Sequence, residues 1–121
     1  MYLLSGENLT CGYNKIDILK NCNIGVNKGE ITSIVGPNGA GKSTAMKAIF
    51  GLLPLRSGQI ILDGEDITHL KPQERVLKGM GFVPQNNNIF PSLTVQENLE
   101  MGAFISDDNF NDILDYIYNL F

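Results

Sequence analysis

One short segment of the chain combines glycine, lysine and hydroxyl side chains at a spacing that binds phosphate. Residues 36–43 fit the pattern GxxxxGK[ST], in which backbone N–H groups surround a phosphate chain. Lys42 offers a mobile positive charge to the β- and γ-phosphate oxygens, Ser43 a hydroxyl ligand to Mg²⁺, and Thr44 a bond to the α-phosphate. The predicted ligands are therefore ATP and Mg²⁺. The predicted ATP-binding residues of this loop are Gly36, Pro37, Asn38, Gly39, Ala40, Gly41, Lys42, Ser43 and Thr44.

A glycine-rich turn in front of an ordinary helix is the alternative interpretation of this loop. The flanking elements favour phosphate binding, because a β-branched run at 31–35 predicts a buried strand before it and apolar spacing at 45–53 predicts a helix after it. The dinucleotide fingerprint GxGxxG is not met, since the glycines fall at 36, 39 and 41.

The rest of the chain is predicted to supply strands first and helices later. A turn is expected at 11–14 and an Asp-Gly turn at 63–64, and Thr94 with Glu97 forms a capping box in front of a helix. The remaining predicted strands cover 3–9, 17–26, 59–62 and 82–83. The remaining predicted helices cover 72–78, 95–101 and 109–121.

Composition indicates one globular domain and argues against a membrane-spanning helix and a nucleic-acid partner. The 121 residues are 43% hydrophobic and 18% charged, and no apolar run approaches the ~20 residues of a membrane helix. All nine lysines and arginines lie at or before Lys78. We therefore expect no nucleic-acid partner, because phosphate backbones need clustered basic residues, and we interpret the acidic C-terminal part as a solvated face. No signal peptide is recognisable.

The cysteines and the single histidine are not expected to carry chemistry. Cys11 and Cys22 lack a metal-binding spacing and are predicted to be reduced, partly buried thiols. His69 has no neighbouring cysteine or second histidine and is predicted to lie in a surface loop.

The loop and its surroundings resemble the ATP-binding subunits of ABC transporters, including their typical GPNGAGKST. In this family an aromatic residue at the position of Tyr13 stacks on adenine, although a tyrosine in such a turn, taken alone, is more often a packed turn aromatic. Residues 57–60 with 63–64 resemble the strand and turn before the family's antiparallel subdomain. Residues 82–85 resemble its Q-loop, which would make Gln85 a contact of Mg²⁺ and the attacking water. Without the resemblance, Gln85 is simply a polar loop residue.

The resemblance implies a fold class, partners and a location. The expected fold is α/β, the N-terminal half of a P-loop NTPase core of the ABC ATPase type with an antiparallel β subdomain. Lys42 and Gln85 are the implied catalytic residues, and Ser43 and Gln85 the implied metal ligands. The implied partners are membrane permease subunits, a second ATPase subunit in a dimer and, indirectly, a substrate-binding protein. The chain would then be cytoplasmic and peripheral on the inner face of the cell membrane.

Finer matches resemble the subgroup that imports branched-chain amino acids. They lie at 66–68, 72–75, 79–85, 89–91, 93–99, 101–104 and 112–121. Residues 86–88, all asparagine, depart from the glycine and arginine expected there, in the loop that would face the permease.

Several family features are absent from the sequence. There is no LSGGQ-like signature, no apolar run ending in Asp-Glu and no switch histidine after such a run. We therefore expect residues 1–121 to be the incomplete N-terminal part of one nucleotide-binding domain, C-terminally truncated, marginally stable and nearly inactive alone. Two alternatives are a non-catalytic ATP-binding fragment and an ABC ATPase that does not serve transport.

Overall fold

The computed structural model describes residues 1–36, 41–84, 89–103 and 108–121. These residues form two compact units, Met1–Phe82 and Val83–Phe121. Strands and two helices make up the first unit, and helices make up the second.

An antiparallel sheet forms the body of the first unit. Its strand order is β2-β1-β3-β4, with β1 at Leu4–Tyr13, β2 at Ile16–Val26, β3 at Ser57–Leu62 and β4 at Glu65–Asp66. Tyr13 pairs with Ile16, so a two-residue turn joins β1 to β2. The predicted Asp63-Gly64 turn is confirmed, because both residues have positive φ, the requirement of a tight Asp-Gly hairpin turn.

Helix α1 (Lys42–Phe50) packs its apolar face against this sheet. Ala45, Ala48 and Ile49 follow the i, i+3, i+4 spacing of one helix face, and all three are buried. They belong to two buried clusters that join the helix to the strands. One cluster contains Leu9, Ile49, Ile60 and Ile67, and the other contains Cys11, Leu19, Ala45 and Ala48.

A short helix, α2 (Pro72–Leu77), follows the β3–β4 hairpin. Pro72 occupies its first turn, where the missing N–H costs nothing. The unit ends at Phe82, whose ring stacks on that of Phe50 with a centroid distance of 5.4 Å. This contact ties the end of the unit to the last turn of α1.

The second unit contains α3 (Val95–Gly102) and α4 (Phe110–Leu120). The capping box predicted for Thr94 and Glu97 is confirmed. Asn109 caps α4 by accepting from the backbone N–H groups of Asn111 and Asp112. None of the helices in the described part of the chain is both long and apolar enough to cross a bilayer.

The prediction of a strand at 31–35 is wrong. These residues form no strand, and the side chains of Ile31 and Val35 are 97% and 87% exposed. A buried parallel strand needs a hydrogen-bonding partner and cover on both faces, and the described residues provide neither to this segment. The predicted strand at 82–83 is also absent, and Val83 is exposed.

Two boundaries also differ from the prediction. The turn predicted at 11–14 lies later, because β1 continues to Tyr13 and fully buries Cys11. The predicted helix end at residue 53 is three residues too late. Gly51 adopts the left-handed conformation and its N–H bonds to the carbonyls of Lys47 and Ala48, which closes the helix after Phe50.

Candidate phosphate and nucleotide site

Gly41 sets the start of α1 and its distance from the sheet. This residue is the N-cap, with φ of 96°, a region that side chains rarely adopt. A Cβ at this position would lie 2.9 Å from Cδ2 of Leu19 on β2. Glycine is therefore required here for the backbone conformation and for the close approach of the loop to the sheet.

Within the described residues, no side chain caps the N-terminus of α1. Gly41 has no side chain to cap it, and the first turn carries no acidic residue. The first helical bond runs from the N–H of Ala45 to the carbonyl of Gly41, at 2.8 Å. The N–H groups of Lys42, Ser43 and Thr44 precede that bond and form the positive end of the helix dipole. This end of the helix therefore offers several donors to an anion.

Lys42 and Ser43 lie beside these donors. The Lys42 ammonium donates a hydrogen bond to the carbonyl oxygen of Gly36, so that its side chain spans the two ends of the loop. Ser43 is exposed, whereas the Thr44 side chain is buried at 6% exposure. The structure thus brings Gly36, Gly41, Lys42 and Ser43 together. The other predicted loop residues, Pro37, Asn38, Gly39 and Ala40, lie outside the described residues.

Tyr13 lies at the end of β1 with 44% of its surface exposed. The Nζ atom of Lys47, in α1, lies 6.0 Å from the centroid of the Tyr13 ring. The Tyr13 ring is therefore partly exposed to solvent and has the Lys47 ammonium of α1 over it.

Arg56 holds the turn that carries Tyr13. Its guanidinium donates to the Asp17 carboxylate and to the carbonyl of Asn14, and its backbone N–H donates to the Thr10 carbonyl at 2.8 Å. The β1–β2 turn is thereby fixed to the segment after α1. Sequence reasoning missed this residue, since nothing in the local sequence pairs an arginine with an aspartate 39 positions away.

Arg75 closes the opposite end of α1. Its side chain is 2% exposed and donates to the carbonyls of Ile49 at 2.6 Å, Thr68 at 2.9 Å and Leu70 at 3.0 Å. Burial lowers the pKa of the Arg75 guanidinium from its usual value. A cation at the C-terminus of a helix complements the helix dipole. Sequence reasoning predicted only a helix around Arg75 and missed this contact.

The residues of the candidate site fit a nucleotide and its metal ion better than a metal ion alone. Among the described residues no three His, Cys, Asp or Glu side chains are grouped to hold a metal. Mg²⁺ bound with nucleotides takes few protein ligands and several phosphate oxygens and waters, which the exposed hydroxyl of Ser43 suits. Gln85, the other predicted metal ligand, lies outside the described residues. His69 is exposed in a turn and both cysteines are free, as predicted.

One protein family and several known proteins are similar to this chain in sequence. The family model described as ABC transporter matches residues 19–119. A probable branched-chain amino acid transport ATP-binding protein LivF of Archaeoglobus fulgidus is 44% identical over 105 residues, covering 87% of this chain and 44% of that protein. The lipopolysaccharide export system ATP-binding protein LptB of Haemophilus influenzae is 41% identical over 99 residues, covering 82% and 41%.

A solved structure agrees with the sequence comparison. The crystal structure of a nucleotide-free ATP-binding cassette from an ABC transporter matches with a TM-score of 0.79 and 34% identity, covering 96% of this chain and 46% of that one. The chain spans less than half the length of these relatives. Because the family model matches most of the chain, and the solved cassette has the same architecture, this chain belongs to the ABC transporter ATP-binding domain family.

Proposed function

We propose that this chain binds Mg²⁺-ATP at the N-terminus of α1 as part of the ATP-binding subunit of an importer for branched-chain amino acids. The observation that carries the proposal is the α1 N-terminus, which has no side-chain cap and no acidic residue and lies beside Lys42. In this proposal residues 1–121 form the N-terminal part of one nucleotide-binding domain.

The loop residues divide the work of binding. The N–H groups at the start of α1 donate to phosphate oxygens, with the helix dipole favouring their negative charge. Lys42 exchanges the carbonyl of Gly36 for the β- and γ-phosphate oxygens, and Thr44 contributes at the α-phosphate. When bound, Mg²⁺ would neutralise charge on the β- and γ-phosphates, and the Ser43 hydroxyl would be one of its ligands.

Hydrolysis requires more than this grip on the phosphates. Phosphoryl transfer is accelerated by positioning and by charge stabilisation around the γ-phosphate. We assign Lys42 to the charge and, by family resemblance, Gln85 to Mg²⁺ and the attacking water. The sequence holds no apolar run ending in Asp-Glu that could orient that water. We therefore propose that residues 1–121 bind ATP but hydrolyse it poorly by themselves.

The proposed partners are a permease and a second ATP-binding subunit, with a substrate-binding protein acting through the permease. The segment before α3 and the first residue of that helix support permease docking because they present apolar side chains to solvent. Ile89, Phe90 and Val95 are 68%, 50% and 69% exposed. Asn98 fixes this segment, since its amide accepts from the Phe90 N–H at 2.7 Å and donates to the Thr94 carbonyl at 2.8 Å. Such docking would make the protein cytoplasmic and peripheral on the membrane.

Replacing Lys42 by alanine tests nucleotide binding. We expect the affinity for Mg²⁺-ATP, measured by isothermal titration calorimetry, to fall at least about tenfold, because a charge-assisted bond to phosphate contributes about 1.5–3 kcal/mol. Lys28→Ala is the matched control, since Lys28 is an exposed lysine in the turn after β2. Equal affinity of the Lys42→Ala and Lys28→Ala variants would contradict the proposed site.

The cargo requires a separate test in cells. The amino-acid assignment is supported by the sequence blocks that resemble the importer subgroup and by the LivF relative at 44% identity. Lipopolysaccharide export is the second candidate, favoured by the LptB relative at 41%. With the codon for Lys42 in the chromosomal gene changed to one for alanine, we expect uptake of labelled leucine to be lost. Normal uptake together with defective lipopolysaccharide export would favour the second candidate.

A further inference from the structure

We propose that a cleft at the C-terminal end of α1 binds a small monocarboxylate with an apolar body. The cleft lies within the first unit, between the end of α1 and the residues that lead into α2, and its volume is about 310 Å³. Because a helix rises about 1.5 Å per residue, the cleft lies about 13 Å from the phosphate end of α1. It is therefore a second site, and the proposal does not depend on the proposed function.

A buried guanidinium lines the cleft. Arg75 is 2% exposed and belongs to neither of the ion pairs between described residues. Its Nη2 atom donates to the Thr68 carbonyl at 2.9 Å, and its Nε and Nη1 atoms donate to other backbone carbonyls. Since Nη2 carries two N–H donors, one of them has no acceptor within the described part of the chain. Burial lowers the pKa of this guanidinium, and an anion beside it would offset the cost of burying its charge.

The other titratable side chains that line the cleft are also basic. They are His69 and Lys71, which are exposed and therefore lie at its mouth. Asp66 interacts electrostatically with His69, but its carboxylate accepts from the N–H and hydroxyl of Thr68. The Glu74 carboxylate accepts from the Lys71 N–H at 3.3 Å. Neither of these carboxylates lines the cleft, so its described walls carry positive charge only, which favours an anionic ligand.

The remaining walls are mostly apolar and favour an aliphatic ligand body. The apolar side chains are those of Leu53, Pro54, Leu55, Leu70 and Pro72. Small-molecule sites commonly combine such walls with a few polar groups that fix the orientation of the ligand. An ammonium group on the same ligand would be disfavoured, because no acidic side chain among the described lining residues could pair with it. The cleft should therefore reject free amino acids, including the proposed cargo.

Four small ligands separate the contribution of the carboxylate from that of the body. In an NMR titration of the ¹⁵N-labelled chain, we expect 4-methylpentanoate to bind with a Kd of about 1 mM and to shift the amide signals of Gly51, Leu70 and Lys71. Leucine adds an ammonium group to this acid, 4-methylpentan-1-ol replaces its carboxylate, and acetate lacks its body. Each of these three should bind at least about tenfold more weakly.

Replacing Lys71 tests the protein side of the same contact. We expect Lys71→Gln to lower the affinity for 4-methylpentanoate about two- to fivefold, the fold-change of an exposed ion pair. Lys28→Gln removes an equal charge from the turn after β2 and should leave the affinity unchanged. Lys71→Arg keeps the charge and should keep most of the affinity. These variants leave the buried Arg75 in place, so they do not disturb the end of α1.

Several results would overturn the proposal. The absence of saturable binding by 4-methylpentanoate would show that the cleft holds no such ligand. Equal binding of the alcohol would mean that the carboxylate is not recognised, and equal binding of acetate or leucine would mean that the body or the ammonium group is not. Equal effects of Lys71→Gln and Lys28→Gln would place the ligand elsewhere. Lys42→Ala should bind 4-methylpentanoate normally, which keeps this test separate from that of the ATP site.

Discussion

The two ends of α1 are finished in opposite ways. At the N-terminus, Gly41 brings no side chain to the unpaired N–H groups. At the C-terminus, Gly51 returns its N–H to two carbonyls of the last turn, and the buried Arg75 donates to the carbonyls of Ile49 and Ala48 at 2.6 and 3.4 Å. Both ends use a glycine with positive φ, yet among the described residues only the C-terminal end has a side chain bonded to its backbone groups.

This difference separates structure from function within one short helix. Unpaired polar groups cost stability when they are buried, so a helix end that serves only the fold is expected to be satisfied. The C-terminal end follows this rule through an arginine that arrives from α2. At the N-terminal end no described side chain accepts from the first N–H groups, and these belong to residues whose sequence predicts phosphate binding, so this end suits an anion.

Replacing Arg75 removes the side chain that bonds to the carbonyls at the C-terminal end of α1. We expect Arg75→Ala to lower the free energy of unfolding of the first unit by about 3–5 kcal/mol, because it leaves buried carbonyls unpaired and a cavity behind. Urea denaturation followed by circular dichroism measures this loss. Arg56→Ala is the matched control, since its ion pair is partly exposed and should contribute only about 0–1 kcal/mol. Similar losses for the two variants would show that burial at the helix end is unimportant.

Adding a methyl group at Gly41 tests the open end. We expect Gly41→Ala to destabilise the fold by about 2–4 kcal/mol, combining the cost of a left-handed alanine with crowding against Leu19 at 2.9 Å. Gly29→Ala is the control, because Gly29 also has positive φ, at 78°, but has nothing within 4 Å of an added Cβ. The difference between the two variants in urea denaturation reports the packing alone. If they are equally destabilised, close packing of the loop on β2 does not matter.

The sequence predicted the local features of this molecule better than the long-range ones. The start of α3, the Asp63-Gly64 turn and the placement of Lys42 and Ser43 at a helix N-terminus depend on neighbouring residues, and the structure confirms them. The ATP-binding and metal-binding roles of those residues remain predictions.

The misses concern contacts between distant residues. The apolar run at 31–35 has the composition of a buried strand, but a strand also needs neighbours, and composition does not say whether they are present. Arg56 and Arg75 are ordinary surface residues by type. Their partners, Asp17 and the carbonyls of α1, are brought to them only by the packing of the whole unit.

The N-terminus of α3 sharpens the comparison with a helix end that the protein caps itself. Thr94 accepts from the Glu97 N–H at 3.1 Å, and the Glu97 carboxylate accepts from the Thr94 N–H at 3.0 Å. We expect Thr94→Ala to cost about 1 kcal/mol of helix stability. Helical Cα chemical shifts of residues 95–98 measure it by NMR, with Thr32→Ala, at an exposed threonine outside any helix, as the control. Unchanged shifts in Thr94→Ala would show that the capping box does not hold α3.

Acid should weaken the same cap, and the direction follows from its hydrogen bonds. The backbone and side chain of Thr94 lower the pKa of Glu97 from its usual value. The contribution of Glu97 is therefore present above the ordinary pKa of glutamate and is lost as the pH falls through the lowered value. The shifts of residues 95–98 should lose helical character over that acidic range in the unaltered chain and much less in Glu97→Gln. The same acid loss in Glu97→Gln would assign it to another group. The α1 N-terminus has no carboxylate in its first turn to protonate, so this helix end should respond to phosphate ligands instead.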